Sequence, residues 1–212
     1  MGSFWGPVTK ANLERVGPFT DAVAGTDGED TDVNALVTAG NNRIILGPGS
    51  ILTAALTLSA AGGGYLWSPA HPEAINLGAW PITVTGSGWH LEGFEINGSA
   101  SVGILITTGA GPISIARVSS TGNTTHGIQG NGTVNDVSIT DCKLFSNTVD
   151  GLKIGASHNA WRVVGNFIWD NGGWGINDLS DSVIEGSNRL DSNSSGAISG
   201  TSPNTDGASK LT

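Results

Sequence analysis

Asn123-Thr-Thr-His-Gly-Ile128, Asn147-Thr-Val-Asp-Gly-Leu152 and Asn171-Gly-Gly-Trp-Gly-Ile176 are one phrase written three times, 24 residues apart. A fourth copy, Asn193-Ser-Ser-Gly-Ala-Ile198, follows after 22 residues, and Ser99 holds the Asn place in a copy upstream. The glycine of the phrase falls at Gly103, Gly127, Gly151 and Gly175, and one residue early at Gly196. Each phrase belongs to a longer unit whose onsets are Trp89, Ile113, Val137, Trp161 and Val183, so the repeating region runs from Trp89 to about Asp206. Repetition at a fixed period in this range marks a chain that stacks one supersecondary unit on the next.

The hydrophobic period decides what is stacked. Apolar residues alternate within each unit, as in Trp89/Leu91, Ile113/Ile115, Val137/Ile139 and Trp161/Val163, then Ile104/Ile106 and Leu152/Ile154. Period two means short strands, and the Gly, Asn, Ser and Thr between them are turn residues. About three strands fit in a unit and a crossover helix does not. Successive units must therefore pair in parallel, and the chain winds into an all-β, single-stranded parallel β-helix.

Upstream, Arg43-Ile-Ile-Leu-Gly-Pro-Gly-Ser-Ile-Leu52 and Leu56-Thr-Leu58 place strand, Pro-Gly turn and strand in succession. Together with the repeats, this resembles the pectin-lyase-like superfamily of right-handed parallel β-helices over roughly residues 30 to 206. The resemblance implies a right-handed coil and a helix over its N-terminal end. It leaves activity open, because the superfamily includes polysaccharide lyases, glycoside hydrolases, uronate epimerases and trimeric bacteriophage tailspikes and fibres.

The chain accordingly divides into a leader over 1–28, a capping helix over 29–40, the coil over 41–206 and a tail over 207–212. Thr9 and Gly17 bracket a short helix in the leader, and the second helix is expected to start at Asp30 or Thr31 and stop at Gly40. Glu29, Asp30 and Asp32 suit the first turn of that helix. Charged residues make up 13% of the chain, against about 25% in ordinary domains, with 33 glycines in their place. The net charge of −9 argues against nucleic acid as a partner, since tracking phosphates requires clustered Lys and Arg. Cys142 is the lone cysteine, so no intrachain disulfide forms, and its unit position, shared with Phe94 and Val118, makes it a core filler. Met1-Gly-Ser-Phe-Trp-Gly-Pro7 has neither the basic start nor the apolar run of a secretory signal, and no stretch reaches transmembrane length.

In a coil, residues 24 apart lie one above another at about 4.8 Å, so chemistry is written in columns. The residue before the phrase glycine gives Val102, His126, Asp150 and Trp174. Read as an outward column, it sets an acid/base pair beside an indole able to stack on a sugar ring. Four residues into the unit stand Gly93, Arg117, Asp141 and Gly165, and two further on Glu95, Ser119, Lys143 and Phe167, which suggests a charged patch of Glu95, Arg117, Asp141 and Lys143. Alternation turns Phe145, Phe167 and Trp169 outward as an aromatic cluster, an interface or a glycan platform. Asn123, Asn147, Asn171 and Asn193 form a structural ladder of stacked amides.

The expectation is a homotrimeric bacteriophage tail spike, fibre or surface spike in the virion. It would bind other virion proteins and cell-surface polysaccharide, with no cofactor, metal or membrane insertion. The alternative is a secreted polysaccharide lyase, glycoside hydrolase or epimerase. It would use His126, Asp141, Lys143 and Asp150 for acid/base or charge stabilisation and Trp174 to hold the sugar. The short turns weigh against it, because substrate clefts are walled by long loops.

Overall fold

The computed structural model describes residues 22–25, 31–59, 62–69, 75–107, 109–180, 183–200 and 210–211. Its strands form three sheets of eight, six and seven strands. A single turn shows the plan. Asn135–Thr140 lies in the first sheet, Lys143–Phe145 in the second and Leu152–Ile154 in the third, before the chain returns to the first at Asn159–Val164. Each of these strands pairs in parallel with its counterpart one turn on. The chain is a parallel β-solenoid of about seven turns.

The register is the one the spacing demands. Trp89, Ile113, Val137, Trp161 and Val183 are successive partners in the first sheet. Ile104, Ile128, Leu152 and Ile176 are partners in the third. A one-residue slip would turn every apolar side chain outward, so the alternation holds the register. The inward residues form one continuous core cluster along the coil.

Two corners of each turn are made by a single residue with left-handed backbone. Between the first and second sheets this residue is Gly93, Arg117, Asp141, Gly165 and Ser187 in succession, with φ of 79, 50, 53, 75 and 52°. Between the second and third sheets it is Gly98, Gly122, Ser146, Asp170 and Ser192, with φ of 78, 63, 54, 55 and 50°. Such φ values turn the chain sharply within one residue and favour Gly, Asp and other short polar residues. The residue after each corner points inward: Phe94, Val118, Cys142, Asn166 and Asn188 at the first corner, and Ser99, Asn123, Asn147 and Asn171 at the second, are all buried. Cys142 is indeed a core filler, and burial pushes its thiol pKa up to about 12, leaving it unreactive.

The N-terminal boundary differs from the expectation. First-sheet pairing already begins at Ala22–Ala24, partnered with Arg43–Leu46, inside the stretch assigned to a leader. The helix is the six-residue Val33–Thr38, started by Asp32 rather than by Asp30 or Thr31, because the Asp32 carboxylate accepts the Asn34 N–H at 2.9 Å. Its buried Val33 and Leu36 join the core, and Asn34 accepts the Thr53 N–H and donates to the carbonyls of Ala54 and Ala55. The expected helix from Thr9 to Gly17, with Glu29 and Asp30, lies outside the described residues. At the other end Lys210–Leu211 pairs with Arg189–Asp191, within the stretch assigned to a tail.

Candidate functional site on the columns of the coil

The structure brings His126 and Asp150 together but not to the surface. Both are buried, at 7% and 2% exposure, so this column faces inward rather than outward. The reason is the corner. Leaving the Asn ladder the chain is bent, not extended, and Asp150, Gly151 and Leu152 are all buried in succession. Each side chain reaches one turn up to a backbone N–H: Asp150 N donates to His126 Nδ1 at 3.2 Å, and Trp174 N donates to Asp150 Oδ1 at 2.8 Å. Asn177 Nδ2 donates to Asp150 Oδ2 at 3.0 Å, and His126 Nδ1 stands 3.3 Å from the same oxygen. Nδ1 thus faces two groups of Asp150, accepting from its N–H in one tautomer and donating to Oδ2 in the other. Trp174 is half-buried, its ring lying against Gly196.

Burial raises the Asp150 carboxyl pKa, but hydrogen bonds from His126, Asn177 and the Trp174 N–H more than offset this and leave it below the usual range. A depressed carboxylate stabilises the fold above its unfolded pKa, and that stability is lost as pH falls through the folded value. Asp150→Asn is therefore expected to be clearly less stable than the native chain at pH 7, with the gap narrowing below about pH 4. Urea denaturation at both pH values measures it, and a gap independent of pH would refute the assignment.

The Asn ladder is continuous. Asn123 Nδ2 donates to Asn147 Oδ1 at 2.8 Å, Asn147 Nδ2 to Asn171 Oδ1 at 2.9 Å, and Asn171 Nδ2 to Asn193 Oδ1 at 2.8 Å. Each of these oxygens also accepts the backbone N–H of the Asn below, and Asn123 Oδ1 accepts the Ser99 N–H. A second, shorter ladder stands at the other corner. Asn188 Oδ1 accepts from Asn166 N and Nδ2, both at 3.0 Å, and Asn166 Oδ1 accepts the Cys142 N–H. Sequence reading missed it because the column begins with apolar Phe94, Val118 and Cys142. The 22-residue spacing of Asn166 and Asn188 was the available signal.

The expected charged patch does not assemble as a unit. Arg117 reaches back to Glu92, with Nε and Nη2 2.8 and 2.7 Å from Oε1, rather than up to Asp141. His90 Nε2 lies 2.6 Å from the other oxygen of Glu92. Burial raises the Glu92 carboxyl pKa, and the hydrogen bonds from His90 and Arg117 bring it below the usual range. Glu95 instead accepts from Asn76 and Asn97. Asp141 is an exposed left-handed corner residue, and Lys143 sits half-buried beside Phe167 of the next strand. His90 and Glu92 were readable as outward positions of one strand. Their pairing with Arg117 was not, because it crosses a turn.

The aromatic cluster forms, as a stack. Trp169 lies 4.1 Å from Phe145 at 7° and 4.0 Å from Phe167 at 22°, centroid to centroid. Two rings cannot share one indole face at that distance, so the phenyl rings cover opposite faces of Trp169. The Arg189 guanidinium caps Phe167 at 4.7 Å. All three residues are half-buried. Trp169 thus has no free face for a sugar ring, while the exposed part of the cluster remains available to a packed surface. No family model, curated protein or solved structure matches this chain. The site must be read from its own geometry.

A further set of buried polar contacts was not foreseen. Buried His158 accepts the Val134 N–H at Nδ1, 3.0 Å away, and Trp161 Nε1 donates to the Val134 carbonyl at 3.0 Å, while His158 Nε2 is buried without a hydrogen-bond partner. Among the described residues, no group of three or more His, Cys, Asp and Glu is placed to hold a metal ion.

Proposed function

We propose that this chain is a rod-shaped subunit of a surface spike, of the kind bacteriophage tailspikes and fibres build for host attachment. It would stand in the virion as a homotrimer of right-handed, pectin-lyase-like coils, with other virion proteins and cell-surface polysaccharide as partners. The single observation that carries this reading is the ring stack of Phe145, Trp169 and Phe167 on the outer face of the second sheet. A preformed aromatic cluster that spans two turns of the coil suits lateral packing of identical rods, in which residue for residue the same face meets around one axis. The enzyme reading is weaker. His126 and Asp150 are buried and spent on backbone N–H groups, and Asp141 and Lys143 stand on a different face of the coil.

The test is the solution mass by light scattering, for the native chain and for the combined Phe145→Ser, Phe167→Ser, Trp169→Ser variant. The expected result is a trimer that falls to monomer in the variant. A monomeric native chain refutes the assembly.

A further inference from the structure

We infer that a groove beside Trp80 is a binding site for an uncharged saccharide, with the indole as its stacking platform. The inference gives the attachment reading a location, and rests on that reading for its biological sense. Trp80 is 46% exposed, the one aromatic residue among the four exposed large hydrophobic residues of the described chain, the others being Ile51, Val149 and Leu179. It stands at the second-to-third-sheet corner, beside a groove of about 490 Å³ whose other walls are Pro81, Ala55, Ala79, Gly98, Ala100 and Ser101. That volume lies within the range of small-ligand sites. The platform is held from behind. Pro81 follows it, the Pro81 carbonyl accepts the Leu56 N–H at 3.0 Å, and strand Ile82–Val84 begins at the next residue.

Trp80 and Trp169 differ in the property that matters. Both faces of Trp169 are covered by phenyl rings, whereas among the described residues no ring or cation stacks on Trp80. A free indole face binds a flat ligand with apolar faces and a polar rim, and a pyranose ring has that form. The small walls let such a ring approach, and hydroxyl groups lie at the groove and beyond it. Ser101 lines it, and Thr124, Thr125 and Thr148 follow up the same corner at exposed or half-exposed positions.

The charge of the ligand follows from what the groove lacks. None of its lining residues is ionisable, so a uronate or sialate would meet no Lys or Arg there while approaching a chain of net charge −9. A peptide adding itself as a strand is disfavoured too, because the nearby N–H groups of Leu56 and Ile82 are already paired, with Pro81 and Gly103 carbonyls. A neutral hexose chain needs neither a cation nor a sheet edge.

Calorimetric and NMR titrations with cellohexaose, maltohexaose and mannohexaose, and with hexagalacturonate as the anionic control, test this. At least one neutral hexaose is expected to bind saturably. Trp80→Ala should weaken it by about tenfold or more, and Trp80→Phe, which keeps a ring face, by only about threefold. Circular dichroism and thermal unfolding check that both variants fold, as an exposed side chain should permit. Absence of binding by every neutral hexaose, preference for hexagalacturonate, or affinity indifferent to Trp80→Ala would each overturn the site. A change of solution mass in Trp80→Ala would overturn it as well, by making the groove a contact between copies. A monomeric native chain with Trp80-dependent binding would instead sink the trimer and leave the site standing.

Discussion

Asn147→Ala is expected to destabilise the coil by roughly 3–5 kcal/mol. Asn147 is 1% exposed and sits mid-ladder. Its Oδ1 accepts from Asn123 N and Nδ2, and its Nδ2 donates to the Ser120 carbonyl and to Asn171 Oδ1. Alanine removes all four bonds and takes from the buried Asn123 N–H the side-chain oxygen it donates to, at about 1–3 kcal/mol for that group, with the lost amide–amide and amide–carbonyl bonds in addition. Asn147→Asp keeps the shape but replaces the donating amide by a carboxylate facing the Ser120 carbonyl and Asn171 Oδ1. That variant should be worse at pH 7 than at pH 4, where protonation restores a donor. Urea denaturation at the two pH values reads both effects. A loss under about 1 kcal/mol for Asn147→Ala would show that water replaces the amide, and that the ladder is not a principal support of the corner.

Gly127→Ala is expected to cost about 3 kcal/mol for a different reason. Its φ is not in the left-handed region; what requires glycine is the next turn. A Cβ on Gly127 would come within 2.7 Å of the Gly151 carbonyl oxygen and 3.0 Å of Asn147 Nδ2. The first of these is backbone pinned in the sheet and cannot give way. Gly103, Gly151 and Gly175 meet the same obstacle one turn above each. Gly98 is glycine through its backbone alone. Its φ is 78°, nothing lies within 4 Å of an added Cβ, and Ser146, Asp170 and Ser192 hold the equivalent place. Gly98→Asn should therefore cost less than about 1 kcal/mol, since Asn tolerates that conformation. Equal losses in the two variants would refute the close-approach account.

These two positions also show where sequence reading succeeds. The Asn and Gly columns are visible because every turn solves the same local problem with the same residue type at the same place. The problem repeats because the coil does. The parallel register, the three strands per turn and the burial of Leu91, Ile115, Ile139 and Val163 follow from that period and the alternation within it. The candidate functional columns were less legible. His126 and Asp150 look outward if alternation is carried through the corner, but the corner bends the chain and resets which way the side chains face. Arg117 and Asp141 look like a charged patch, yet their column is defined by backbone φ, and Arg117 finds its partner one strand back at Glu92. The Phe145, Phe167 and Trp169 cluster was foreseen, but not that Trp169 would be covered on both faces. Trp80 lies before the regular repeats, where no column existed to place it.

By itself, the sequence determined the solenoid, its register and its amide ladder, because these depend on the period and on residue type alone. The tertiary structure decided which polar side chains are spent on the fold and which aromatic faces are free. Those outcomes depend on the direction of each side chain at a bend and on what the neighbouring turn sets against it, at distances of a few ångströms that no spacing along the chain encodes.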